Sequence, residues 1–233
     1  MKLSIVVPCY NEEMNIPIIL NKFSSVINRN DVEIILVNNG SSDNSKNVMN
    51  KLAPDYPFAK ILHIDVNHGY GSGILAGLRV AGGEFIGYTH ADMQTDPADV
   101  LIGLKIIERQ KNPKICYLKG VRKGRPAFDQ VFSIGMSFFE SLYLGKKLWD
   151  INAQPNIFHK DFFADIMENC PKDFSLDLYL LYMAQLKGLI LIRFDVVFPD
   201  RVYGISSWND GLSSKLKFIK RTLKFSFELK RLL

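Results

Sequence analysis

The segment GYTHADMQTDP, residues 87–97, places His90, Asp92 and Gln94 at alternate positions just after a short apolar run. In an extended backbone residues two apart point to the same side, so these three side chains face one site if the segment stays extended. A carboxylate with an amide or an imidazole suits Mg2+ or Mn2+, with phosphate oxygens in the remaining positions. The imidazole shifts preference toward Mn2+, and an ion held there could act as a Lewis acid. The plain alternative is a polar turn in which Asp96-Pro97 starts a helix.

Three further polar stretches carry comparable side chains. In VPCYNEE, Pro8 ends an apolar run, Tyr10 can cover a nucleobase, and Glu12 can accept from a ribose hydroxyl or a base N–H. Acids there also favour the first turn of a helix without any ligand. In VNNGSSD, Asn39 can present a donor and an acceptor together, while an Asn-Gly turn with Asp43 capping the next helix accounts for the same residues. In HGYGSG, Gly69, Gly71 and Gly73 suggest a dinucleotide fingerprint. The G-x-G-x-x-G match fails at the third glycine and follows a third strand rather than a first, which argues against that site. Close backbone approach to a nucleotide or tight helix packing explains these glycines better.

The elements that must position these loops alternate regularly over the first 120 residues. Strands are expected at 3–7, 32–37, 60–64, 84–88 and 115–118. Helices are expected at 12–27, 43–52, 73–81 and 97–109. Such alternation argues a parallel sheet with helices on both faces, and ligands bind such sheets beyond the carboxyl ends of the strands. All four polar loops fall on that rim. Beyond 120 the pattern predicts helices over 128–144, 160–168 and 176–186, an irregular stretch over 149–158, and a strand over 189–198.

At 47% hydrophobic and 23% charged residues the composition is that of a globular chain, with enough apolar residues for a sizeable core. No apolar run approaches the roughly 20 residues of a membrane span, and the apolar part of the first residues is too short for a signal peptide. Cys9, Cys116 and Cys170 show neither metal-like spacing nor an even framework, so a reduced, cytoplasmic setting is expected. The net charge is +5, and residues 215–233 hold seven basic residues against one acid, so the body is near neutral. Leu212, Leu216, Ile219 and Leu223 follow helical spacing among those lysines and arginines. A basic amphipathic helix of this kind reads as an interfacial anchor on an anionic leaflet, or as a helix packed on the domain with a solvated basic face. Nothing points to nucleic acid.

Together SIVVPCYNEEMNI, ILVNNGSSDNS, NHGYGSGILAGLRVAGGEFI and THADMQTDP, in this order, resemble the inverting family 2 glycosyltransferases of the GT-A (nucleotide-diphospho-sugar transferase) fold. The nearest branch is the dolichol-phosphate mannose synthase-like enzymes, and the resemblance runs from Ser4 to about Trp208. It implies an α/β fold with a mostly parallel central sheet flanked by helices. A GT-A domain is expected over 1–210, with a nucleotide-binding half at 1–120 and an acceptor half at 121–210, followed by the basic helix at 211–233. It also implies transfer from a nucleotide-diphospho-sugar to a polyprenyl phosphate or a lipid-linked glycan, assisted by Mg2+ or Mn2+. Attachment would be peripheral, at the inner face of a membrane or through a membrane protein partner.

The resemblance carries nucleotide-sugar binding to Pro8, Tyr10, Glu12, Val37, Asn39, Asn67, Gly71, His90, Ala91, Arg122 and Ser206. It carries the metal to Asp92, Gln94 and His90, and catalysis to Asp92, Arg201 and Asp150. The family usually has Asp at positions 39 and 90, and a Lys after the serine where Ser207-Trp208 stand. Arg122 suits a donor or acceptor phosphate. For a sugar-hydroxyl acceptor Asp150 or Asp177 could be the general base, whereas a lipid phosphate oxygen is already an anion and needs none. A nucleotide-binding module without catalysis is the rival reading. A nucleotidyltransferase is disfavoured because PCYNEE is not a Gly-rich, Arg-bearing loop.

Overall fold

The computed structural model describes residues 1–124, 127–199, 201, 203 and 211–231. In chain order the elements are β1 (Leu3–Cys9), α1 (Asn15–Val26), β2 (Val32–Asn39), α2 (Ser45–Leu52), β3 (Ala59–Ile64), α3 (Tyr70–Val80), β4 (Phe85–Tyr88), α4 (Ala98–Glu108), β5 (Cys116–Lys123), α5 (Ala127–Leu144), β6 (Asn156–His159), α6 (Lys160–Ile166), α7 (Leu176–Leu186), β7 (Ile190–Val197) and α8 (Gly211–Arg231). One sheet runs through all seven strands in the order β3-β2-β1-β4-β6-β5-β7. Its neighbours are parallel except where β6 runs antiparallel between β4 and β5. Six strands therefore end on one rim.

Alternation along the strands separates two cores. Leu3, Ile5, Val7 and Cys9 of β1 pack on one face with Ile16, Leu20 and Phe23 of α1 and Val100, Leu104 and Ile107 of α4. Val6, Val37 and Tyr88 point to the other face, against Ile74, Leu75 and Leu78 of α3 and Leu178 and Leu181 of α7. Full burial of each such aliphatic side chain contributes about 1.5–3 kcal/mol, and both faces of the central strands are covered. The stretch expected to be irregular contains β6, entered through a cis Gln154–Pro155 bond. The helix expected from Asp43 begins at Ser45 with Asn44 as its N-cap, and Asp43 stands one residue earlier, its carboxylate accepting from the Ser45 N–H at 2.9 Å.

The basic helix α8 lies against α5. Among its described side chains Thr222, Ser226 and Leu229, spaced i, i+4, i+7, are buried, and the Ser226 hydroxyl donates to the buried Glu140 of α5 at 2.5 Å. Ile219 and Leu223 are half-buried, and the side chains of Leu212 and Leu216 lie outside the described residues. The described turns of the tail thus use one face for packing on the domain and leave Lys220, Lys224, Lys230 and Arg231 exposed.

Candidate active site

The rim at the strand ends gathers the sequence motifs. β4 stops at Tyr88, and the chain then bends through residues 91–95, with Met93 in the left-handed region at φ +62°. The extended backbone that would have put His90, Asp92 and Gln94 on one side is therefore absent. Asp92 and Gln94 nevertheless converge, because one arginine takes both. Arg201, beyond the end of β7, places its Nη2 2.7 Å from the Asp92 carboxylate and donates from Nε to Gln94 Oε1 at 3.3 Å. Asp92 is almost fully buried. Its other oxygen accepts from the Gln94 N–H at 3.1 Å, and Gln94 Nε2 donates to the Pro199 carbonyl at 3.3 Å. His90 stands apart from this cluster of bonds. Its ring meets Phe198 edge-on at 6.2 Å, its buried Nε2 has no hydrogen-bond partner, and burial pulls its pKa down, which favours the neutral imidazole.

The loop after β1 borders the same pocket. Burial pushes the Glu12 carboxyl up. A hydrogen bond from Asn15 Nδ2 at 2.5 Å opposes this, and the charges of Asp92 and Arg201 both act on it. Asn11, at φ +58°, ties this loop to the β2 loop by accepting from the Ser42 N–H at 2.8 Å. Tyr10 is half exposed, free to lie over a ring.

Asn39 ends β2. Its amide donates to the Gly69 carbonyl at 3.0 Å and to Asn67 Oδ1 at 3.4 Å, while Asn67 also accepts from the Gly69 N–H at 2.8 Å. That leaves Asn39 Oδ1 buried with no partner. A buried acceptor held this way is suited to an imide or amidine N–H of a base. Gly73 makes room for it, since a Cβ there would lie 2.9 Å from Asn39 Cγ. Gly71 is differently placed from the expected nucleotide contact. Its open side is filled by the backbone of Pro171–Asp173, and a Cβ would meet Asp173 O at 2.6 Å, so it serves close packing of α3. Pro8 pairs with Val37 across β1 and β2, and Ala91 is buried in the core beneath the loop.

At the end of β5, the Arg122 N–H and Nε donate to the two Asp150 oxygens at 2.8 and 2.9 Å, and Nη2 donates to the same carboxylate. Both side chains are buried. Burial would raise the Asp150 pKa, but the Arg122 charge and hydrogen bonds outweigh it and hold the carboxyl below its ordinary value. This pairing weighs against Asp150 as the general base that a sugar-hydroxyl acceptor would need. Both of its oxygens are engaged, and an anion stabilised this strongly is a poor proton acceptor. Ser206, Ser207 and Trp208 lie outside the described residues.

A family model, Glycosyl transferase family 2, matches residues 4–167. The chain belongs to glycosyl transferase family 2. Among curated relatives, this family 2 chain is 37% identical over 103 residues to the undecaprenyl-phosphate 4-deoxy-4-formamido-L-arabinose transferase of Yersinia enterocolitica. The match covers 42% of this chain and 31% of the relative. The Serratia proteamaculans protein of the same name is 32% identical over 111 residues, covering 46% and 34%. The chain thus matches about a third of the length of these relatives. Two solved structures share its GT-A fold. Glucosyl-3-phosphoglycerate synthase of Mycobacterium tuberculosis, solved with Mn2+, UDP and glucosyl-3-phosphoglycerate, superposes with a TM-score of 0.69 at 15% identity, over 92% of this chain and 76% of that one. The mannosyltransferase PcManGT of Pyrobaculum calidifontis, solved with GDP-mannose and Mn2+, gives 0.65 at 20%, over 87% and 58%.

Under the rim, this family 2 chain carries a buried polar network that sequence reasoning largely missed. Lys119 of β5 is fully buried, donates to the Ala153 carbonyl at 2.7 Å and to Asn156 Oδ1 at 2.9 Å, and has its pKa pulled down to about 7 by burial. Asp177, at the start of α7, accepts from the Tyr88 hydroxyl at 2.6 Å. Burial pushes its carboxyl up against the opposing pull of Lys119. Gln154 donates to the Tyr70 hydroxyl, and Tyr70 stacks on Phe174 at 4.4 Å. The available signal was Lys119 itself, a charge inside the apolar strand ICYLKGV. Beside Arg122 a cleft opens between α5, α7 and α8, lined by Met136, Ile151, Phe174, Leu178 and Thr222.

Proposed function

We propose that the chain is an inverting, metal-assisted glycosyltransferase that moves a sugar from a nucleoside-diphosphate sugar to a polyprenyl phosphate. The observation that carries this reading is the buried Asp92 at the mouth of β4. It is held by a cation, Arg201, and flanked on one rim by Glu12 and by the unpartnered Asn39 oxygen. The donor set fits a divalent ion, with Asp92, the Gln94 carbonyl oxygen and the unpartnered His90 Nε2 as the residues that would hold it. Among the described residues no three His, Cys, Asp or Glu side chains cluster closely enough to hold an ion alone, so the donor diphosphate must complete the shell. When bound, such an ion supplies Lewis-acid stabilisation of the departing nucleoside diphosphate. The ion would be Mg2+ or Mn2+, and two proteins of the same fold were solved with Mn2+.

The residues then divide the work. Tyr10, Glu12 and Asn39 hold the nucleoside, and Arg201 turns from Asp92 to the diphosphate. The acceptor oxygen attacks the anomeric carbon from the face opposite the leaving group, which inverts it. The engagement of both expected bases favours a phosphate over a sugar hydroxyl as acceptor. Asp150 is bound on both oxygens, and Asp177 is fully buried under the rim and hydrogen-bonded to Tyr88, so neither of the two expected bases stands open to a substrate hydroxyl. A phosphate oxygen needs no base. Arg122 borders a small cleft of mixed lining, Met136, Ile151, Phe174 and Leu178 with Ser133, Ser137, Asn152 and Thr222, and would meet an acceptor phosphate there by parting from Asp150. The undecaprenyl-phosphate transferases among its relatives point the same way. Action on such a lipid places the chain at a membrane surface. Among the described residues no helix is long and apolar enough to cross one.

Calorimetric titration with UDP and with GDP, each with Mn2+, Mg2+ or EDTA, tests the reading. One nucleotide should bind only with metal, and Asp92→Asn should abolish that binding. Failure of both nucleotides with either ion would remove the transferase reading.

A further inference from the structure

Among the described residues, α5 presents a row of large apolar side chains to solvent. Val131, Ile134, Phe138 and Leu142 are 69, 44, 69 and 75% exposed. Their spacing of three and four puts them in one stripe along the helix. The opposite side of α5 carries the buried Ser137, Glu140 and Leu144. Among the described side chains of α5 the single acid is that buried Glu140, so the outward stripe has no charge to keep it in water. Contiguous exposed apolar surface of this kind marks an interaction site.

The stripe is continuous with the basic helix. Phe139 stacks on Tyr143 at 5.8 Å, and Tyr143 meets the half-exposed Phe227 of α8 at 4.9 Å. Lys230 lies 4.3 Å from the Tyr143 ring centre and donates to the Tyr143 carbonyl at 2.9 Å. Lys220, Lys224 and Arg231 are exposed on the same helix, where the one acid of its described side chains, Glu228, lies 3.8 Å from Lys224, and Lys147 is exposed just past the end of α5. Apolar residues rimmed by cations are the pattern of a face that inserts at the headgroup–acyl boundary of an anionic bilayer. A second copy fits less well, because a two-fold interface would bring the same cations together.

We infer that the outward stripe of α5, with Phe227 and the cations of α8, is a docking surface for an anionic lipid bilayer. The inference rests on the membrane location proposed above and fixes it to particular residues. It moves the apolar contact from the tail to α5, since the buried face of α8 is already engaged. The other side of α5 contributes Met136 to the cleft beside Arg122. A lipid acceptor would therefore pass from the bilayer around one helix to reach the site.

The test is sedimentation of the full chain with vesicles of phosphatidylcholine alone and of phosphatidylcholine with phosphatidylglycerol. Wild type should partition to the anionic vesicles and lose this in high salt. Phe138→Glu/Leu142→Glu should weaken partitioning about tenfold or more, and Lys147→Glu/Lys224→Glu about fivefold for each charge. Both variants should keep the metal-dependent nucleotide affinity, which shows that they are folded. Undiminished partitioning of the Phe138/Leu142 variant overturns the surface while leaving the transferase reading intact. Equal binding to both vesicle types also overturns it. A wild-type dimer in analytical ultracentrifugation that the Phe138/Leu142 variant dissociates would assign the stripe to a second copy instead. Normal vesicle binding without any nucleotide binding would keep the surface and remove the transferase.

Discussion

Replacing Arg201 by alanine should raise the affinity for Mn2+ in the absence of nucleotide. Arg201 lies 2.7 Å from the Asp92 carboxylate, which is the first residue expected to meet the ion. Metal and guanidinium compete for one carboxylate, so binding the metal means breaking the pair. Two unit charges about 4 Å apart attract by roughly 4 kcal/mol at an effective dielectric near 20. Ordering an arginine side chain costs about 2 kcal/mol. Arg201 keeps a quarter of its side chain in solvent, which weakens the pair further. The remainder is about 1–2 kcal/mol, or about 5–30-fold in metal affinity. Titration of free Mn2+ by electron paramagnetic resonance measures it directly. The same variant should bind Mn2+–nucleotide more weakly, because the arginine is then missing from the diphosphate. Opposite signs for the two ligands are the signature. If Arg201→Ala weakens free Mn2+ as much as it weakens Mn2+–nucleotide, the arginine is not a place-holder and the reasoning fails.

Gly73→Ala should push the Asn39 side chain out of place and lower nucleotide affinity about tenfold with little change in stability, read by calorimetry beside a melting curve. Asp150→Ala leaves a buried guanidinium unpaired and should destabilise the fold by about 3 kcal/mol, measured by urea denaturation; an unchanged midpoint would show that Arg122 finds water instead. Asp99 has its pKa raised to about 6 by burial, and one of its oxygens has no partner. Its folded pKa exceeds the unfolded one, so the stability it contributes is present below about pH 4 and is lost as pH rises through 6. Asp99→Asn should therefore raise Tm at pH 8 by roughly 2–4 °C relative to wild type and leave it nearly unchanged at pH 4.

The first half of the fold was legible because each strand is a short apolar run closed by a polar loop, and order alone put those loops on one rim. β6 was not, since four residues after a Gln-Pro pair carry too little periodicity to separate from a loop. The candidate site was legible as a set of residues and less so as a geometry. Alternation brought Asp92 and Gln94 together for the wrong reason: the backbone bends at Met93, and what unites them is an arginine 107 positions beyond Gln94. Asp150 read as a free acid because its partner lies 28 residues earlier. Pairings across such distances leave no local trace. The stripe on α5 was hidden for another reason. Apolar residues occupy much of the helix circumference, so pattern could predict a helix without showing which face the domain covers.

The antiparallel course of β6 has a consequence for how such a chain can vary. Because β6 runs against β5, the segment joining them leaves and re-enters the sheet on the same rim. Arg122 and Asp150 clasp it at its neck. Everything between them, including the whole of α5, is an excursion whose ends are already held together. Lengthening it would add only about 0.6 kcal/mol of closure entropy for each doubling and would shift no strand. The excursion that carries the exposed stripe of α5 is an exchangeable cassette, while the strands on either side of its neck stay as they are.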